Sequence, residues 1–336
     1  MTRRNLPLIY DDMTPRPSYN LDISLRSFLP PAWTTASPTM PELPAEDEKA
    51  PELPPAHHLV YFNPTIPEDD LLPDGTDPLQ SPGEPFVRRM WAGGSLRFDH
   101  DQNHHKNITL NGKRWVCHEF IRDVQIKGKE GDEKVFVSIE RRMASWEGVT
   151  HGRFAFEVED TIRRRLWEED DQKFGYAQVI ERRNIVFMRE KTPNELVAAA
   201  EAAKAAKKLG KMLMPQNKPD FTYTLSPTCN LLFRYSALTF NAHAIHLDPQ
   251  YCREVEGHRN LLVHGPLTLT LLVTMLREHL KTLDPPQRVF SFDYRNLAPL
   301  YANEPLKLCC RMIEDGKYEV WAETPEGGIA IKTYGY

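Results

Sequence analysis

The chain has 336 residues and a formal net charge of −5 at pH 7, a length that suits two ordinary domains. Its lysines and arginines are scattered among acids, and no run reaches about 18 uncharged apolar residues, so neither a nucleic-acid partner nor a membrane-spanning helix is expected. The five cysteines form no Cys-x-x-Cys spacing, and their odd number argues against a disulfide scaffold and for a reducing, intracellular compartment.

Residues 1–56 are rich in proline and mixed in charge, a composition that predicts an extended arm or linker. Two early arginines fit a mitochondrial transit peptide, but aspartates follow at 11, 12 and 22, and such signals are poor in acids. Both a mitochondrial and a cytoplasmic location therefore stay open. His57 and His58 follow this segment directly and are expected to lie in a solvated loop.

Residues 57–194 are expected to form a first half that is rich in strands. Stretches of β-branched and aromatic residues predict strands at Val135–Ile139, Phe154–Val158 and Ile185–Phe187. No leucine-rich helix is visible in this half, so it is expected to shape a pocket rather than to carry chemistry. Candidate pocket walls are the aromatic residues Tyr61, Trp91 and Phe98, for which plain core packing is an equal alternative.

Residues 195–218 are expected to form a helical connector, because the alanine-rich stretch Glu195–Met214 has high helix propensity and few large apolar residues. Residues 219–336 then form a second half with several stretches of alternating hydrophobicity. Turn-forming pairs separate these stretches, at Asp315-Gly316 and Gly327-Gly328, a pattern typical of an antiparallel meander.

The longest apolar segment of the second half begins at Gly265 and Pro266. Proline suits the first helical position, and leucines then occupy nearly every side, so residues 266–283 are predicted to form a buried helix. Cationic side chains in its last turns complement the negative end of the helix dipole and leave the positive end at Gly265. The free backbone N–H of Gly265 is therefore a candidate donor to an anion or to a developing oxyanion.

Asn241 and His246 stand five residues apart, shortly before this helix. His246 is the natural proton carrier, because the unperturbed pKa of histidine lies closest to neutrality. Asn241 cannot act as a base, but its amide can hold a water, a hydroxyl or a thioester carbonyl in position. Spacing alone favours the plainer alternative, a structural histidine and a glycine that merely precedes a helix.

The stretch Phe233–Leu272 resembles the second half of the type 2 hydroxyacyl-thioester dehydratases of fungal mitochondria and of the related mesaconyl-CoA hydratases, within the wider MaoC-like (R)-specific enoyl hydratases. Leu72–Phe98 and Arg182–Phe187 resemble the first half of the same proteins. The resemblance implies an α+β double hotdog, in which a long helix is wrapped by an antiparallel sheet and two such halves share one chain. It also implies a hydro-lyase that acts on acyl thioesters of (R) configuration.

The wider family carries an aspartate and a histidine five residues apart, in a Gly-Asp-x-Asn-Pro-x-His motif. This chain has Asn241 at the aspartate position, and the fungal subgroup resembles it in that asparagine. The resemblance therefore implies proton transfer by His246, positioning of water or hydroxyl by Asn241, and an oxyanion contact from the Gly265 N–H.

Residues around this set are expected to bind the substrate, namely Arg234, Tyr235, Phe240, His243, Val263 and His264. His243 lies inside the motif, where it can line the pocket, orient the base or make a structural hydrogen bond. A coenzyme A ligand would need cationic anchors for its phosphates. The candidates in the second half are Arg234, Arg253, Arg259 and Lys281, and the sequence does not choose among them.

The expected substrate is an acyl thioester of coenzyme A or of an acyl carrier protein, either in fatty-acid metabolism or in a secondary-metabolite pathway with a polyketide-like intermediate. The missing aspartate keeps a repurposed, non-catalytic acyl-binding hotdog protein as the alternative. No cofactor and no metal is expected, because the cluster of His100, His104 and His105 is typical of a solvated loop. A two-hotdog chain can complete its paired unit as a monomer, and a homodimer is the other possibility.

Overall fold

A ten-stranded antiparallel sheet forms the scaffold of the molecule in a computed structural model. The structure describes residues 1–34, 39, 41–44, 50–99, 108–151, 158–205 and 212–336. The strands in chain order are β1 (Ile9–Asp12), β2 (Arg88–Phe98), β3 (Arg114–Lys127), β4 (Lys134–Ser145), β5 (Val179–Met188), β6 (Phe221–Leu225), β7 (Ser291–Asn296), β8 (Leu306–Glu314), β9 (Lys317–Glu323) and β10 (Ile329–Gly335).

The order of the strands brings the two halves of the chain together in one continuous sheet. Across the sheet the order is β1-β3-β4-β5-β2-β7-β10-β9-β8-β6, so the first five strands lie on one side and the last five on the other. The halves meet where β2 pairs antiparallel with β7, with Leu96 opposite Phe292. Both of these side chains are fully buried, so the junction is part of the hydrophobic core.

The helices lie between and around these strands. In chain order they are α1 (Pro15–Leu25), α2 (Trp146–Thr150), α3 (Val158–Leu166), α4 (Pro193–Ala205), α5 (Cys229–Leu238), α6 (Pro249–Glu254) and α7 (Gly265–Lys281). The predicted buried helix is α7, with Pro266 in its first turn and every residue from Leu267 to Glu278 buried. It packs against β7, β8 and β9, which gives the second half a long helix laid on an antiparallel meander, as the sequence predicted.

The first half has a different cover on its sheet. Short helices α2 and α3 pack against β3 and β4. Two of the three predicted strands of this half lie within β4 and β5. The third prediction, Phe154–Val158, falls largely outside the described residues, and its last residue begins α3 rather than a strand. Nothing in the described part of this half matches the length of α7, as expected.

The prediction that residues 1–56 form an extended arm is wrong for the segment that includes β1 and α1. Strand β1 pairs with β3, and α1 buries Leu21 and Leu25 in the main core. Pro15 and Pro17 lie in the first turn of α1, where a missing N–H costs no intrahelical hydrogen bond. These two prolines therefore mark the start of a helix rather than an extended chain.

The solvated loop expected at His57 and His58 is also wrong, because both side chains are buried. His57 Nδ1 lies 2.7 Å from the Ser18 hydroxyl of α1, and its Nε2 lies 3.7 Å from an Asp22 oxygen. His58 Nε2 lies 4.0 Å from a Glu181 oxygen of β5. The contact with Ser18 compensates for the burial of His57, whereas neither ring nitrogen of His58 has a hydrogen-bond partner among the described residues. Both burials result from tertiary packing, which local composition does not predict.

The remaining expectations about the scaffold concern the connector, the cysteines and the membrane. Helix α4 covers Pro193–Ala205, the first part of the stretch predicted to be a helical connector; residues 206–211 lie outside the described residues, and residues 212–218 are not helical. All five cysteines are free thiols. In the described part of the chain, the helices are too short or too polar to cross a membrane.

Candidate active site

The Asn241 to His246 segment is held by a turn that follows α5. Helix α5 begins after Thr228, whose hydroxyl caps it by accepting from Leu231 N, and ends before Phe240, which has a φ of +50°. Asn241 Oδ1 then accepts a hydrogen bond from His243 N at 3.0 Å. The side-chain oxygen of Asn241 is thus engaged in shaping the turn, and its NH2 group is the donor that remains for a ligand.

His246 ends this segment in a short 3-10 turn over Ala244–His246, with 8% of the residue exposed. Its Nδ1 lies 2.8 Å from the carbonyl oxygen of Leu262. A carbonyl can only accept, so Nδ1 carries the hydrogen and Nε2 keeps the lone pair. Burial lowers the pKa of His246 to about 4, with a smaller lowering from Arg89, against the raising effect of the Leu262 carbonyl. At neutral pH the ring is therefore an uncharged base.

The ring of His264 packs against the ring of His246. The two rings stack with centroids 3.6 Å apart and an angle of 20° between their planes. His264 Nε2 lies 2.9 Å from the Ser236 hydroxyl of α5, and the ring is 1% exposed. Burial, together with His246 and His243, holds the pKa of His264 well below its ordinary value, so this ring is a neutral packing partner.

His243 faces a carboxylate that comes from the first half of the chain. Its Nε2 lies 3.4 Å from Asp74 Oδ2, and its ring meets that of His246 edge to face with centroids 5.5 Å apart. The other oxygen of Asp74 accepts from the backbone N–H of Thr76 at 3.0 Å and from its hydroxyl at 2.5 Å. Burial, reinforced by His246 and Arg89, keeps the pKa of His243 well below its ordinary value.

Gly265 is the first residue of α7, so its N–H has no intrahelical partner. A Cβ at this position would lie 3.0 Å from Asn296 Nδ2 and 3.8 Å from Trp91 Cβ. The absence of a side chain therefore leaves the backbone of Gly265 open to close approach. The helix N-terminus adds a positive field to that N–H, which suits a thioester oxygen as it gains charge.

One cavity of about 1160 Å3 is lined by Asp74, Asn241, His243, His246 and Gly265, whereas His264 lies outside its lining. The first half contributes Asp74, Arg89 and Trp91 to the lining, and the second half contributes the motif residues and Gly265. Cavities of this size exceed the range of about 300–1,000 Å3 that is usual for small-ligand sites. The space accommodates an extended acyl chain beside the histidines.

The structure separates the sequence-predicted binding residues into those that reach the cavity and those that do not. The lining contains Trp91, Tyr235, Phe240, His243 and Val263. Arg234 is exposed on α5 and is not part of the lining, and His264 is one layer further in. The predicted walls Tyr61 and Phe98 pack elsewhere, with the Tyr61 hydroxyl donating to Thr14 O at 2.6 Å.

The candidate cationic anchors are likewise outside the lining. Arg259 pairs with Glu304 and Lys281 with Glu278. The arginines that do line the cavity come from the first half of the chain, and each has a carboxylate partner: Arg88 with Glu256, Arg89 with Asp77, and Arg183 with Glu181.

Sequence reasoning missed Asp74 as a site residue. Its signal was present, because Asp74 belongs to the Leu72–Thr76 stretch that carried part of the family resemblance.

As for metals, the described residues contain no group of three or more histidines, cysteines or carboxylates that could hold an ion. The cluster of His100, His104 and His105 lies outside the described residues.

The chain is similar to known proteins over most of its length. The model of the family "Hydroxyacyl-thioester dehydratase type 2" matches residues 56–302. The chain is 28% identical over 269 residues to the mitochondrial hydroxyacyl-thioester dehydratase type 2 of Schizosaccharomyces pombe, covering 78% of this chain and 79% of that protein. It is 29% identical over 281 residues to the mesaconyl-C(4)-CoA hydratase of Chloroflexus aurantiacus, covering 83% and 81%.

Solved structures confirm the hotdog fold. A MaoC-like dehydratase from Phytophthora capsici superposes with a TM-score of 0.60 at 12% identity, covering 99% of this chain and 96% of that one. A putative MaoC domain dehydratase from Chloroflexus aurantiacus superposes with a TM-score of 0.52 at 13% identity, covering 99% and 94%. Because this family model matches most of the chain, the chain belongs to the hydroxyacyl-thioester dehydratase type 2 family.

Proposed function

We propose that the protein interconverts (R)-3-hydroxyacyl thioesters and enoyl thioesters, with His246 as the acid/base group. The class of enzyme follows from the family, whose members are hydro-lyases acting on acyl thioesters. The observation that carries the role of His246 is its contact with Leu262 O, which leaves a basic Nε2 on a ring that lines the cavity.

In the dehydration direction, His246 Nε2 takes the proton from Cα of the 3-hydroxyacyl group. The C–H electron pair forms the double bond as the C–O bond at Cβ breaks, and His246 returns its proton to the departing oxygen, so water leaves. The Gly265 N–H stabilises the charge on the thioester oxygen during this step. The Asn241 NH2 donates to the hydroxyl and keeps it beside Cβ.

The substrate carrier and the setting belong to the same proposal. Either a coenzyme A or a carrier-protein thioester serves as substrate, and the chain acts in the mitochondrion as a monomer or a homodimer. Similarity to the mitochondrial dehydratase of Schizosaccharomyces pombe supports that location. The name of the Chloroflexus relative supports the coenzyme A carrier.

His246→Ala tests the proposal. General acid/base groups contribute about 10²–10⁴-fold to rate, so we expect the variant to hydrate enoyl thioesters at least about 100-fold more slowly than the wild type. The loss of enoyl-thioester absorbance measures the rate, with enoyl-CoA and enoyl-carrier substrates of several chain lengths. His151→Ala, an exposed histidine outside the cavity lining, is the matched control and should keep the wild-type rate.

Two results would contradict the proposal. One is an equal rate for wild type and His246→Ala, and the other is no turnover of any of these substrates by the wild type. Thermal melting of each variant separates loss of chemistry from loss of fold.

A further inference from the structure

The cavity contains a carboxylate, although position 241 does not supply one. Asn241 stands where the wider family carries an aspartate, and His243 stands where the same motif carries an asparagine. Asp74 brings its carboxylate to His243 from the other half of the chain. It lines the same cavity and is 5% exposed.

Backbone contacts fix this carboxylate against the motif. Asp74 O accepts a hydrogen bond from Ala244 N at 2.8 Å. The next residue, Gly75, has a φ of +80°, and a Cβ there would lie 2.2 Å from Ala242 O. Only glycine permits that approach, so the Leu72–Thr76 segment is shaped to seat on the motif.

The contact also sets the chemistry of His243. His243 Nε2 faces Asp74 Oδ2 at 3.4 Å, and because a carboxylate can only accept, this contact favours the tautomer with the hydrogen on Nε2 and the lone pair on Nδ1. The ring stays uncharged at neutral pH because it is buried and because His246 and Arg89 oppose its protonation. In that tautomer His243 Nδ1 is a hydrogen-bond acceptor, and the residue lines the cavity beside the base His246.

We infer that the Asp74–His243 pair replaces the carboxylate missing at position 241, with His243 accepting the hydrogen bond of the substrate hydroxyl or of the attacking water and Asp74 fixing its tautomer. The inference rests on the proposed function. His243 is a catalytic residue in this scheme because it touches the reacting oxygen, and Asp74 is a positioning residue that acts through it.

The Asp74–His243 pair keeps its own hydrogen on His243 Nε2 and neither gains nor loses a proton during the reaction. During hydration, the water donates one hydrogen bond to His243 and its oxygen attacks Cβ. His246 takes the other water proton and delivers it to Cα, so the elements of water add across the double bond. If His243 carried its hydrogen on Nδ1, both His243 and the Asn241 NH2 group would be donors. The water would then have no acceptor for its own hydrogen in this part of the cavity and would lose its orientation.

Asp74→Asn is the variant that isolates this role. It keeps an oxygen for Thr76 and the shape of the turn, but it presents an NH2 group to His243 Nε2 and should reverse the tautomer. We expect kcat to fall at least about tenfold with KM changed less than about threefold, because the acceptor is lost while acyl binding remains. Asp69→Asn is the matched control, an exposed carboxylate nearby that is outside the cavity lining.

Two readouts distinguish positioning from folding. Long-range proton–nitrogen NMR of ¹⁵N-histidine protein, assigned with His243→Asn, should show the Nε2–H tautomer of His243 in the wild type and the Nδ1–H tautomer in Asp74→Asn. Adding Asn241→Asp to Asp74→Asn should recover at least about threefold of the lost rate, because it returns an acceptor to the cavity.

Each outcome decides between the alternatives. A rate for Asp74→Asn within twofold of the wild type, an unchanged tautomer, or no recovery in the double variant would overturn the inference. If the wild type turns over no thioester, the proposed function is overturned, and the tautomer measurement still tests the contact between Asp74 and His243.

Discussion

At the scale of single residues, the environment of each histidine decides what it can do. His246 contacts both His243 and His264, yet each of the three has a different partner: a backbone carbonyl for His246, a carboxylate for His243 and a serine hydroxyl for His264. Burial lowers the pKa of all three. The site is thus a cluster of neutral rings in which hydrogen bonds, and not charge, assign the roles.

Gly265→Ala tests the oxyanion contact. The new Cβ would meet Asn296 Nδ2 at 3.0 Å, which requires a shift of a few tenths of an ångström beside the N–H. Loss of a whole oxyanion donor costs about 10²–10³-fold, so we expect this displacement to lower kcat/KM at least about tenfold. Alanine suits a helix better than glycine, so the melting temperature should not fall. An unchanged kcat/KM would remove Gly265 from the mechanism.

The sequence predicted the residues of the site that lie close together in the chain. Asn241, His246 and Gly265 all line the same cavity, and the family resemblance identified them, whereas spacing alone favoured a structural histidine. Asp74 was not found, because its contact with His243 depends on how the first half folds back onto the second. Arg234 was expected at the site as part of the matched stretch and as a candidate phosphate anchor, but it is exposed outside the lining, while its neighbour Tyr235 points into the protein from another side of the helix.

At the scale of elements, the local sequence pattern predicts the burial of α7 but not that of α1. The leucines of α7 surround the helix, so burial on all sides follows from the sequence alone. In α1, Leu21 and Leu25 are the buried apolar side chains of one face, and three prolines from Pro15 to Pro30 obscure that short signal. Its burial comes from packing on α5, which lies far away in the chain.

Leu21→Ala tests whether α1 belongs to the folded core. Leu21 is 0% exposed, and removal of a buried leucine side chain costs about 2–5 kcal/mol, so the free energy of unfolding should fall by that amount. Asn20→Ala, an exposed neighbour in the same helix, is the control and should change stability by about 0.5 kcal/mol or less. Urea denaturation gives both values. Equal stability of the two variants would contradict the packing of α1 in the core and would support the extended arm predicted from the sequence.

At the scale of the whole molecule, the active site depends on the continuous sheet. The pairing of β2 with β7 carries Trp91 next to Gly265, and the arginines of the first half reach the same cavity. The same assembly buries ionisable groups. Arg141 lies between Glu119 and Glu181, and Arg183 with Arg141 lowers the pKa of Glu181 to about 2 against the effect of burial. Charge pairing and burial therefore set how the fold responds to acid.

Mild acid should destabilise the protein through its buried histidines. Burial lowers the pKa to about 4 in the folded state for His58, His118, His246 and His258. Unfolded histidines bind protons below about pH 6.5 and these folded ones do not, so protons favour the unfolded chain between the two values. The free energy of unfolding should fall as pH decreases from about 6.5 to 4, by roughly 1.4 kcal/mol per unit for each such histidine.

Urea denaturation across this pH range measures the slope, and His118→Gln provides the internal comparison. His118 lies on the first-half sheet against Phe120, outside the cavity, and burial is the main cause of its lowered pKa. Its replacement should reduce the slope by the share of one histidine, since glutamine does not titrate. A stability that stays constant from pH 6.5 to 5 would mean that these rings are protonated in the folded protein, and the neutral base assigned to His246 would then need the same revision. A slope that His118→Gln leaves unchanged would mean that His118 itself is protonated in the folded protein.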